Sequence, residues 1–488
     1  MPCGGSGQCG KCLIRVKEGS LPVTLADRQY LSEEQLQAGY RLGCQAIVEE
    51  PCVLELEENM TERDFFVPSS ADQKTAPVLI NESPERMTTD SEDGNRLGIA
   101  VDIGTTTIAM VLVDLDNGSI CREYTGLNHQ RSYGADVMAR IHAAINGEGP
   151  ELRKMIRADL SEGFRQLTGE AGNLVETVVI AGNTTMMHLL RGYDCSGLGQ
   201  YPFHPHSLAF EQLTAEELLG VSMPGVDHAE IILMPGISAF IGADITAGLW
   251  GSRVFNSESP HLFLDLGTNA EMAVGCNGRI LTTSAAAGPA FEGGRLSCGV
   301  GSIPGAIRDI KIQYGLVRYE TIRRRSPVGI CGTGIVAGIA EMKKAGIMDC
   351  DGTLRPGLTS DGFQIVPGKI RITQQDIREF QKAKAAIRAG IDILAESGGY
   401  QFKDIESFEL AGGFGCQMDV CKAASAGLIP EELSERVHAA GNTVINGVIA
   451  YMMDPDERGV LKMIEGTRDF SLATHSDFTE KYLKYFRF

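Results

Sequence analysis

Two stretches of the chain share one pattern of apolar and polar positions: an apolar strand, a short turn rich in Gly and Thr, and a second apolar strand. They are LGIAVDIGTTTIAMVLVDLDNG at 97–118 and HLFLDLGTNAEMAVGCNGRI at 261–280. Apolar runs joined by a short polar turn are typical of β-hairpins. Because the pattern recurs after about a domain's length, it predicts two similar lobes with a cleft between them.

The turns of both hairpins carry groups that suit phosphate. Gly104 and Gly267 let the backbone approach an anion, and hydroxyls at Thr105, Thr106 and Thr268 can bind phosphate oxygens. A single turn of this composition also occurs in ordinary hairpins. Two copies, each after an apolar strand, favour a nucleotide phosphate site over bare turns.

Carboxylates end the first strand of each hairpin. Asp102 and Asp265 are predicted to face each other across the cleft, where they can hold Mg²⁺ through water. Asn269 is a further candidate for holding phosphate. Glu271 is a candidate general base, although strand alternation makes it equally a solvated or packed carboxylate. The sequence contains no GxxxxGK[ST] motif, which excludes a Walker ATPase.

The first 58 residues predict a small mixed unit. Alternation in LIRVKEG (13–19) and CVLELEE (52–58) predicts two strands. Between them, LSEEQLQAGYRLGCQ (31–45) predicts a helix that Ser32 caps and that ends near Gly39. This order of elements is expected of a small β-grasp ferredoxin after its cluster loop.

Cysteines precede this unit in a glycine-rich loop. Cys3, Cys9 and Cys12 lie in the first twelve residues, and Cys44 is the next cysteine along the chain. A [2Fe-2S] cluster needs four thiolates, and such a loop can deliver three of them, so the fourth has to come from elsewhere in the fold. A zinc site or free thiols is the alternative, but zinc ribbons prefer two CxxC pairs and the chain has one.

Composition narrows the class of protein. The 488-residue chain is 43% hydrophobic, carries a formal charge of -19 and has 13 cysteines, too few for a disulfide scaffold of this size. The negative charge argues against nucleic acid or an anionic membrane as partner. No apolar run reaches the length of a membrane span and no signal peptide is evident, so we expect a cytoplasmic protein.

Residues 60–95 lose periodicity, which predicts a linker or, equally, a long packed loop.

The motifs together resemble a known family. CGGSGQCGKC (3–12) with AGYRLGCQ (38–45) resembles the ferredoxin domain of the reductive activators of corrinoid proteins, and the two hairpin turns resemble the phosphate loops of the acetate kinase, sugar kinase, Hsp70 and actin superfamily. The resemblance implies that Cys3, Cys9, Cys12 and Cys44 are the cluster ligands. Ferredoxins of this family have a hairpin before the first cysteine, whereas two residues precede Cys3.

Further stretches carry the same resemblance. FELAGGFG (408–415) resembles the superfamily's adenosine motif, which implies that Gly412 and Gly413 pass beneath adenine and ribose, with Phe414 nearby. AGNTTMMHLL (181–190) and GNTVINGVIA (441–450) resemble the connecting helices at which the two lobes hinge.

The resemblance implies an α/β chain: a two-lobed actin-like (ribonuclease H-like) ATPase preceded by a partial β-grasp [2Fe-2S] ferredoxin domain. The expected domains are a ferredoxin-like domain over 1–59 without its first hairpin, a linker over 60–95, ATPase lobe I over 96–256, ATPase lobe II over 257–466 and a C-terminal tail over 467–488.

The implied activity is ATP-dependent reductive activation of a corrinoid protein from Co(II) to Co(I), with a [2Fe-2S] cluster, ATP and Mg²⁺ as cofactors. The implied partners are a corrinoid protein of a methyltransferase system, an electron-donating reductase and a second copy of the chain. Two alternatives are a small-molecule kinase on the same fold, which gives the cysteines no role, and a nucleotide-sensing ferredoxin-like regulator.

Overall fold

The computed structural model of the protein describes residues 12–48, 50–56, 96–134, 136–169, 175–359, 361–412 and 418–488. The linker expected over 60–95 and the candidates Cys3, Cys9, Gly413 and Phe414 lie outside these ranges. Within them, no helix has the length and hydropathy needed to cross a bilayer.

The strands of the described ranges fall into five sheets. In chain order they are β1 (Leu13–Glu18), β2 (Tyr40–Leu42), β3 (Val53–Leu56), β4 (Leu97–Ile103), β5 (Thr107–Asp114), β6 (Ile120–Leu127), β7 (Val175–Gly182), β8 (Glu211–Leu213), β9 (Glu230–Leu233), β10 (His261–Leu266), β11 (Ala270–Cys276), β12 (Arg279–Ala285), β13 (Ala306–Gln313), β14 (Leu316–Thr321), β15 (Gly329–Ile330), β16 (Phe363–Val366), β17 (Ile370–Ile372), β18 (Ser407–Ala411), β19 (Val437–Gly441) and β20 (Thr467–Asp469).

The α-helices connect and cover these sheets. In chain order they are α1 (Leu25–Tyr30), α2 (Glu33–Gln37), α3 (Val137–Ala143), α4 (Gly149–Thr168), α5 (Thr184–Arg191), α6 (Ser196–Gly199), α7 (Ala215–Leu219), α8 (Ala243–Ser252), α9 (Gly332–Lys344), α10 (Gln374–Ser397), α11 (Val420–Ser425), α12 (Thr443–Met453), α13 (Glu457–Glu465) and α14 (Phe478–Phe486).

The amino-terminal unit is an antiparallel sheet in the order β2-β1-β3 with two short helices. The strands predicted at 13–19 and 52–58 are present, and Ser32 caps α2 with a reciprocal capping box. The sequence analysis did not predict α1 or β2. Asp27 explains both, since its buried carboxylate accepts from the Thr24 backbone N–H at 2.7 Å, which caps α1, and from the Leu42 N–H in β2 at 2.7 Å.

Two six-stranded sheets of related topology form the rest of the core. The lobe I sheet runs β6-β5-β4-β7-β9-β8, and the lobe II sheet runs β19-β18-β10-β11-β12-β20. In both sheets the predicted hairpin is antiparallel, and its first strand pairs in parallel with a later strand, β7 or β18. The carboxyl ends of the parallel strands therefore meet at one edge of each sheet.

Helices α8 and α12 fill the space between the two sheets. Val444 and Val448 of α12 pack with Ala100 of β4 in the core of lobe I. Ile245 of α8 packs with Phe263 of β10 in the core of lobe II. Each helix follows the last parallel strand of one lobe and covers the sheet of the other, so the pair joins the lobes.

The two helices touch backbone to backbone. A Cβ added at Gly447 in α12 would lie 1.8 Å from the carbonyl oxygen of Ala247 in α8, so only glycine permits this approach. Of the two stretches expected to form connecting helices, 441–450 lies between the lobes as expected, whereas 181–190 does not. Helix α5 packs inside lobe I through Met186 and Leu189, and α8 takes the place beside α12.

The last 22 residues, expected as a tail, are part of the folded lobe. Strand β20 pairs in parallel with β12, and α14 packs on α10. The side-chain amide of Gln381 donates a hydrogen bond to the Phe486 carbonyl over 2.8 Å, which fixes the end of α14 against α10.

Candidate functional site: a two-lobed nucleotide cleft and a cysteine pair

The first phosphate loop is a tight turn between β4 and β5. The Gly104 N–H donates to the Thr107 carbonyl over 3.0 Å, and a Cβ at Gly104 would lie 2.7 Å from that same oxygen. Thr105 is held on both sides: its hydroxyl accepts from the Asn183 amide at 3.1 Å, and its carbonyl accepts from the guanidinium of Arg140. The loop that was predicted to bind phosphate is therefore held in place by the N-cap of α5 and by Arg140 of α3.

Thr106 and the second phosphate loop are similarly fixed. The Thr106 carbonyl accepts from the Asn128 N–H over 3.0 Å, and the Gly267 N–H donates to the Asn269 carbonyl over 2.9 Å. The hydroxyl of Thr268 donates to a carboxylate oxygen of Glu292 over 3.0 Å.

Gly412 is described, unlike Gly413 and Phe414, the other two residues implied to contact adenosine, and it lies against this second loop. Its φ is +88°, and a Cβ there would lie 2.5 Å from the Leu266 carbonyl and 2.7 Å from Asp265 Oδ1. Because β10 and β18 are parallel neighbours, the turns that follow them share one edge of the sheet. The start of the adenosine motif and the phosphate loop of lobe II are thus side by side.

Four carboxylates line the facing sides of the lobes. Asp102 and Asp265 end β4 and β10, Glu271 lies directly opposite Asp265 in the β10–β11 register, and Asp244 lies in the first turn of α8. All four side chains are half-buried at the floor of the cleft. The structure therefore places the two sequence-predicted aspartates and Glu271 together and adds Asp244 to them.

Burial raises the pKa of all four carboxylates, and the charges of neighbouring carboxylates add to it for three of them. Burial, followed by the charge of Asp244, raises the pKa of Asp102 to about 7. The same two causes, with Asp102 added, raise the pKa of Asp265 to about 7. Burial raises the pKa of Asp244 to about 6 and that of Glu271 well above its ordinary value. Groups that titrate near neutral pH while surrounded by like charges mark a site for a cation or a proton.

One hydrogen bond crosses between the lobes at this point. The side-chain amide of Asn442, which caps α12, donates to Asp102 Oδ2 over 3.2 Å. Asn183 caps α5 in the same way and holds Thr105. Both asparagines belong to AGNT stretches that sequence analysis assigned to hinge helices, and in the structure their amides also position the cleft.

Two arginines of lobe I lie close enough to Glu292 of lobe II for their charges to act on it. Burial raises the pKa of Glu292, whereas the Thr268 hydrogen bond and the charges of Arg140 and Arg131 lower it. By surface area Glu292 is exposed to solvent, although much protein surrounds its carboxylate. Its charge opposes the fall in the pKa of both arginines that burial causes.

The donor set of the cleft fits Mg²⁺ held through water. Carboxylate oxygens are the ligands that Mg²⁺ prefers, and it keeps several waters of its own. Among the described residues, no group of three or more His, Cys, Asp or Glu side chains is placed to ligate a metal directly. Hydrated Mg²⁺ carried in with phosphate is the form that these half-buried aspartates can accommodate.

Cys12 and Cys44 lie next to each other at one end of the amino-terminal sheet. The Cys44 N–H donates to the Cys12 sulfur at 3.4 Å, and the Gly43 N–H donates to the Cys12 carbonyl at 2.7 Å. Backbone N–H donation to sulfur is typical of iron–sulfur ligand loops. Two of the four predicted ligands are therefore brought together, and they fit a [2Fe-2S] cluster.

Sequence reasoning missed Asp244, Glu292 and the amides of Asn183 and Asn442 as parts of the cleft. A usable signal existed for Asp244, since an acid two residues after Gly242 opens an apolar helix. For Glu292 the sequence offers little, because its role depends on arginines more than 150 residues earlier.

The fold and cleft define a two-lobed ATPase joined to a [2Fe-2S] domain. Residues 1–49 match the 2Fe-2S iron-sulfur cluster binding domain, residues 97–257 match the RACo middle region, and residues 259–488 match the C-terminal domain of RACo, the ASKHA domain. The chain belongs to this family of reductive activators of corrinoid proteins. The resemblance and the fold class predicted from sequence are confirmed.

Several named proteins are similar to most of the chain. Corrinoid activation enzyme RamQ of Eubacterium limosum is 31% identical over an alignment of 558 residues that spans 99% of this chain and 92% of that protein. The [Co(II) methylated amine-specific corrinoid protein] reductase of Methanosarcina barkeri is 28% identical, over 71% of this chain and 68% of that protein. The solved structure of a reductive activator for corrinoid, iron-sulfur protein superposes with a TM-score of 0.73 at 25% identity, covering 100% of this chain and 93% of that one.

Proposed function

We propose that this protein is an ATP-dependent reductive activator that returns a corrinoid protein from Co(II) to Co(I). The observation that carries the proposal is the presence, in one chain, of a paired-cysteine domain and a two-lobed carboxylate cleft, both covered by relatives named for corrinoid activation. Neither part alone requires the other, and a kinase would leave the cysteine domain without a role.

ATP is proposed to bind across the two phosphate loops. The two loops belong to opposite lobes, and their hydroxyls at Thr105 and Thr268 are held by Asn183 and Glu292. Thr106 and Asn269 extend the two loops. A ligand that touches both lobes favours the state in which they are closed, and it can drive another step only by binding the two states differently. Reduction of Co(II) to Co(I) is unfavourable for a ferredoxin-type donor, so the free energy of ATP binding has to make it favourable. Lobe closure is the step through which ATP binding can act.

Asp102 and Asp265 are proposed to orient Mg²⁺ through its bound waters. The cation would stabilise the ionised aspartates, opposing the burial and the repulsion by neighbouring carboxylates that raise their pKa values. Gly412, Gly413 and Phe414 are proposed to take adenine and ribose beside the second loop. Glu271 stays a candidate for moving the proton of the attacking water.

Cys3, Cys9, Cys12 and Cys44 are proposed to hold the [2Fe-2S] cluster, which supplies a one-electron donor when it is bound. The Cys44 N–H lowers the negative charge on the Cys12 sulfur by hydrogen bonding. The partners proposed are a corrinoid protein, a reductase that supplies the electron and a second copy of the chain, and the proposed location is the cytoplasm.

Anaerobic reduction of a Co(II) corrinoid protein tests the function. Purified protein is mixed with a chemical reductant, Mg-ATP and the corrinoid protein of a methyltransferase system, and the Co(II) absorbance is followed. We expect loss of Co(II) that requires ATP and stops when ADP replaces it. ATP hydrolysis that no corrinoid protein stimulates, with no loss of Co(II), would contradict the proposal.

Asp265→Asn is the matched variant for this assay. It keeps the size of the side chain but removes a carboxylate from the Mg²⁺ position, so ATP-dependent reduction should fall by roughly 100-fold, the range typical of losing one preorganised electrostatic group. Glu162→Gln serves as the control, because Glu162 lies on the exposed side of α4, paired with Arg165.

A further inference from the structure

Glu292 links the second phosphate loop to the opposite lobe. It ends a short helical turn after β12, and its carboxylate accepts the hydroxyl hydrogen of Thr268 over 3.0 Å. From lobe I, the charges of Arg131 and Arg140 act on the same carboxylate. Arg140 in turn donates to the carbonyl of Thr105 in the first phosphate loop.

A hydroxyl group has one proton to donate. If Thr268 gives its proton to Glu292, it cannot also give it to a phosphate oxygen. A phosphate that binds to the Thr268 hydroxyl also brings negative charge next to the Glu292 carboxylate, and two neighbouring negative charges repel each other. Glu292 is therefore placed to compete with polyphosphate in two ways, by hydrogen bonding and by charge.

We propose that Glu292 is a cross-cleft positioning residue that competes with the nucleotide for Thr268 of lobe II while its charge is balanced by Arg131 and Arg140 of lobe I. The inference rests on the proposed function, because it concerns the affinity of the same cleft for ATP. When phosphate takes the Thr268 hydroxyl, Glu292 is left to pair with the arginines of the other lobe. Nucleotide binding and the approach of the two lobes are coupled through this one side chain.

The competition sets the nucleotide affinity lower than the loops alone would give. Mg-ATP carries more negative charge than Mg-ADP, so the carboxylate should disfavour ATP more than ADP.

Glu292→Gln tests the proposal. Glutamine keeps an oxygen that can accept from Thr268 but removes the charge. We expect Mg-ATP to bind roughly three- to tenfold more tightly than in the wild type, with a smaller change for Mg-ADP and a smaller change for both at high salt. A gain in affinity separates this role from structural damage, which would weaken binding.

Trp250 provides the binding signal. It is the single tryptophan of the chain and lies in α8, between the lobes, with the Arg253 guanidinium 6.0 Å from its ring. Its fluorescence, titrated with each nucleotide and supported by calorimetry, reports affinity without any corrinoid protein. Glu162→Gln, which removes one charge from the outer side of α4, is the control and should bind both nucleotides like the wild type.

The outcomes are separable. Tighter ATP binding by Glu292→Gln supports the inference. Unchanged or weaker binding by this variant, with a wild type that binds ATP, overturns it and leaves the proposed function standing. A wild type that binds neither nucleotide overturns both. Arg131→Gln adds a second check: it should weaken ATP binding less in the Glu292→Gln background than alone, since the charge that Arg131 balances is gone, and additive effects would count against the coupling.

Discussion

Asn442 of lobe II donates its side-chain amide to Asp102 of lobe I over 3.2 Å, and this hydrogen bond joins the lobes at the point where the phosphate loop begins. The same side chain caps α12, since its oxygen accepts from the Ile445 N–H at 2.9 Å. Both ends of the amide are used, so the residue couples the start of an inter-lobe helix to a carboxylate of the cleft.

Asn442→Asp should destabilise the protein more at pH 8 than at pH 5. Aspartate still caps the helix, but it replaces the donor to Asp102 with a second negative charge, which costs about 1 to 3 kcal/mol when both groups are ionised. Chemical denaturation at the two pH values measures the difference.

Asn183→Asp is the matched comparison. Asn183 also caps its helix, through the Met186 N–H at 3.0 Å, but its amide faces the hydroxyl of Thr105. A hydroxyl can turn and donate to the new carboxylate, so we expect a smaller loss of stability with little dependence on pH. Equal losses of stability in the two variants would show that the contact between Asn442 and Asp102 contributes no more to stability than the contact between Asn183 and Thr105.

The cleft predicts a pH-dependent stability of definite sign. The pKa of Asp102 and Asp265 is raised to about 7 and that of Asp244 to about 6, so the folded state holds more protons than the unfolded state between about pH 4 and 7. The contribution of these groups to the free energy of unfolding is therefore full near pH 4 and is lost as the pH rises to about 7. Asp265→Asn should flatten this decline and raise stability at pH 8 in the absence of Mg²⁺.

Mg²⁺ with nucleotide should reverse part of the loss. A ligand at about 100 times its Kd stabilises the folded state by about 2.7 kcal/mol, and protonated aspartates bind Mg²⁺ poorly. The rise in Tm caused by Mg-ADP should thus be larger at pH 8 than at pH 6 in the wild type. In Asp265→Asn the rise should be small at both pH values, and an equal rise in both proteins would argue against a role for Asp265 in holding the metal.

The hairpins could be predicted because each bears its own signal, an apolar strand on either side of a Gly-Thr turn. Which helices lie between the two lobes could not be predicted. The AGNT stretches before α5 and α12 look alike in sequence, yet α5 packs within lobe I and α12 lies between the sheets. What separates them is the sheet face that each helix meets and the backbone contact of Gly447 with Ala247, which depend on residues about 200 positions apart. Asp244 was missed for the same reason, since its position in the cleft depends on where α8 crosses.

Gly447→Ala should therefore loosen the joint between the lobes. Its methyl group would meet the Ala247 carbonyl, and overpacking of this kind costs about 1 to 3 kcal/mol or more because two helices have to move apart. Thermal unfolding measures the loss, and Trp250 fluorescence should change without ligand. Gly149→Ala in α4 is the control, since its added Cβ would lie 3.7 Å from the nearest atom outside its chain neighbours. Because Pro150 follows it, we expect a small loss, well below that of Gly447→Ala.

The cysteine pair predicts which thiols hold iron. Cys12 precedes β1 and Cys44 follows β2, so both lie at the same end of the sheet, while Cys52 precedes β3, which pairs with the opposite end of β1 at Glu18. Cys44→Ala should lose most of its iron and its visible absorption in anaerobic preparations, because a [2Fe-2S] cluster is held by four ligands. Cys52→Ala should keep both. Iron analysis of the wild type, Cys44→Ala and Cys52→Ala decides the point. If Cys52→Ala loses iron and Cys44→Ala retains it, the ligand assignment is wrong. Asp27, which joins α1 to β2 beside Cys44, would then position no ligand.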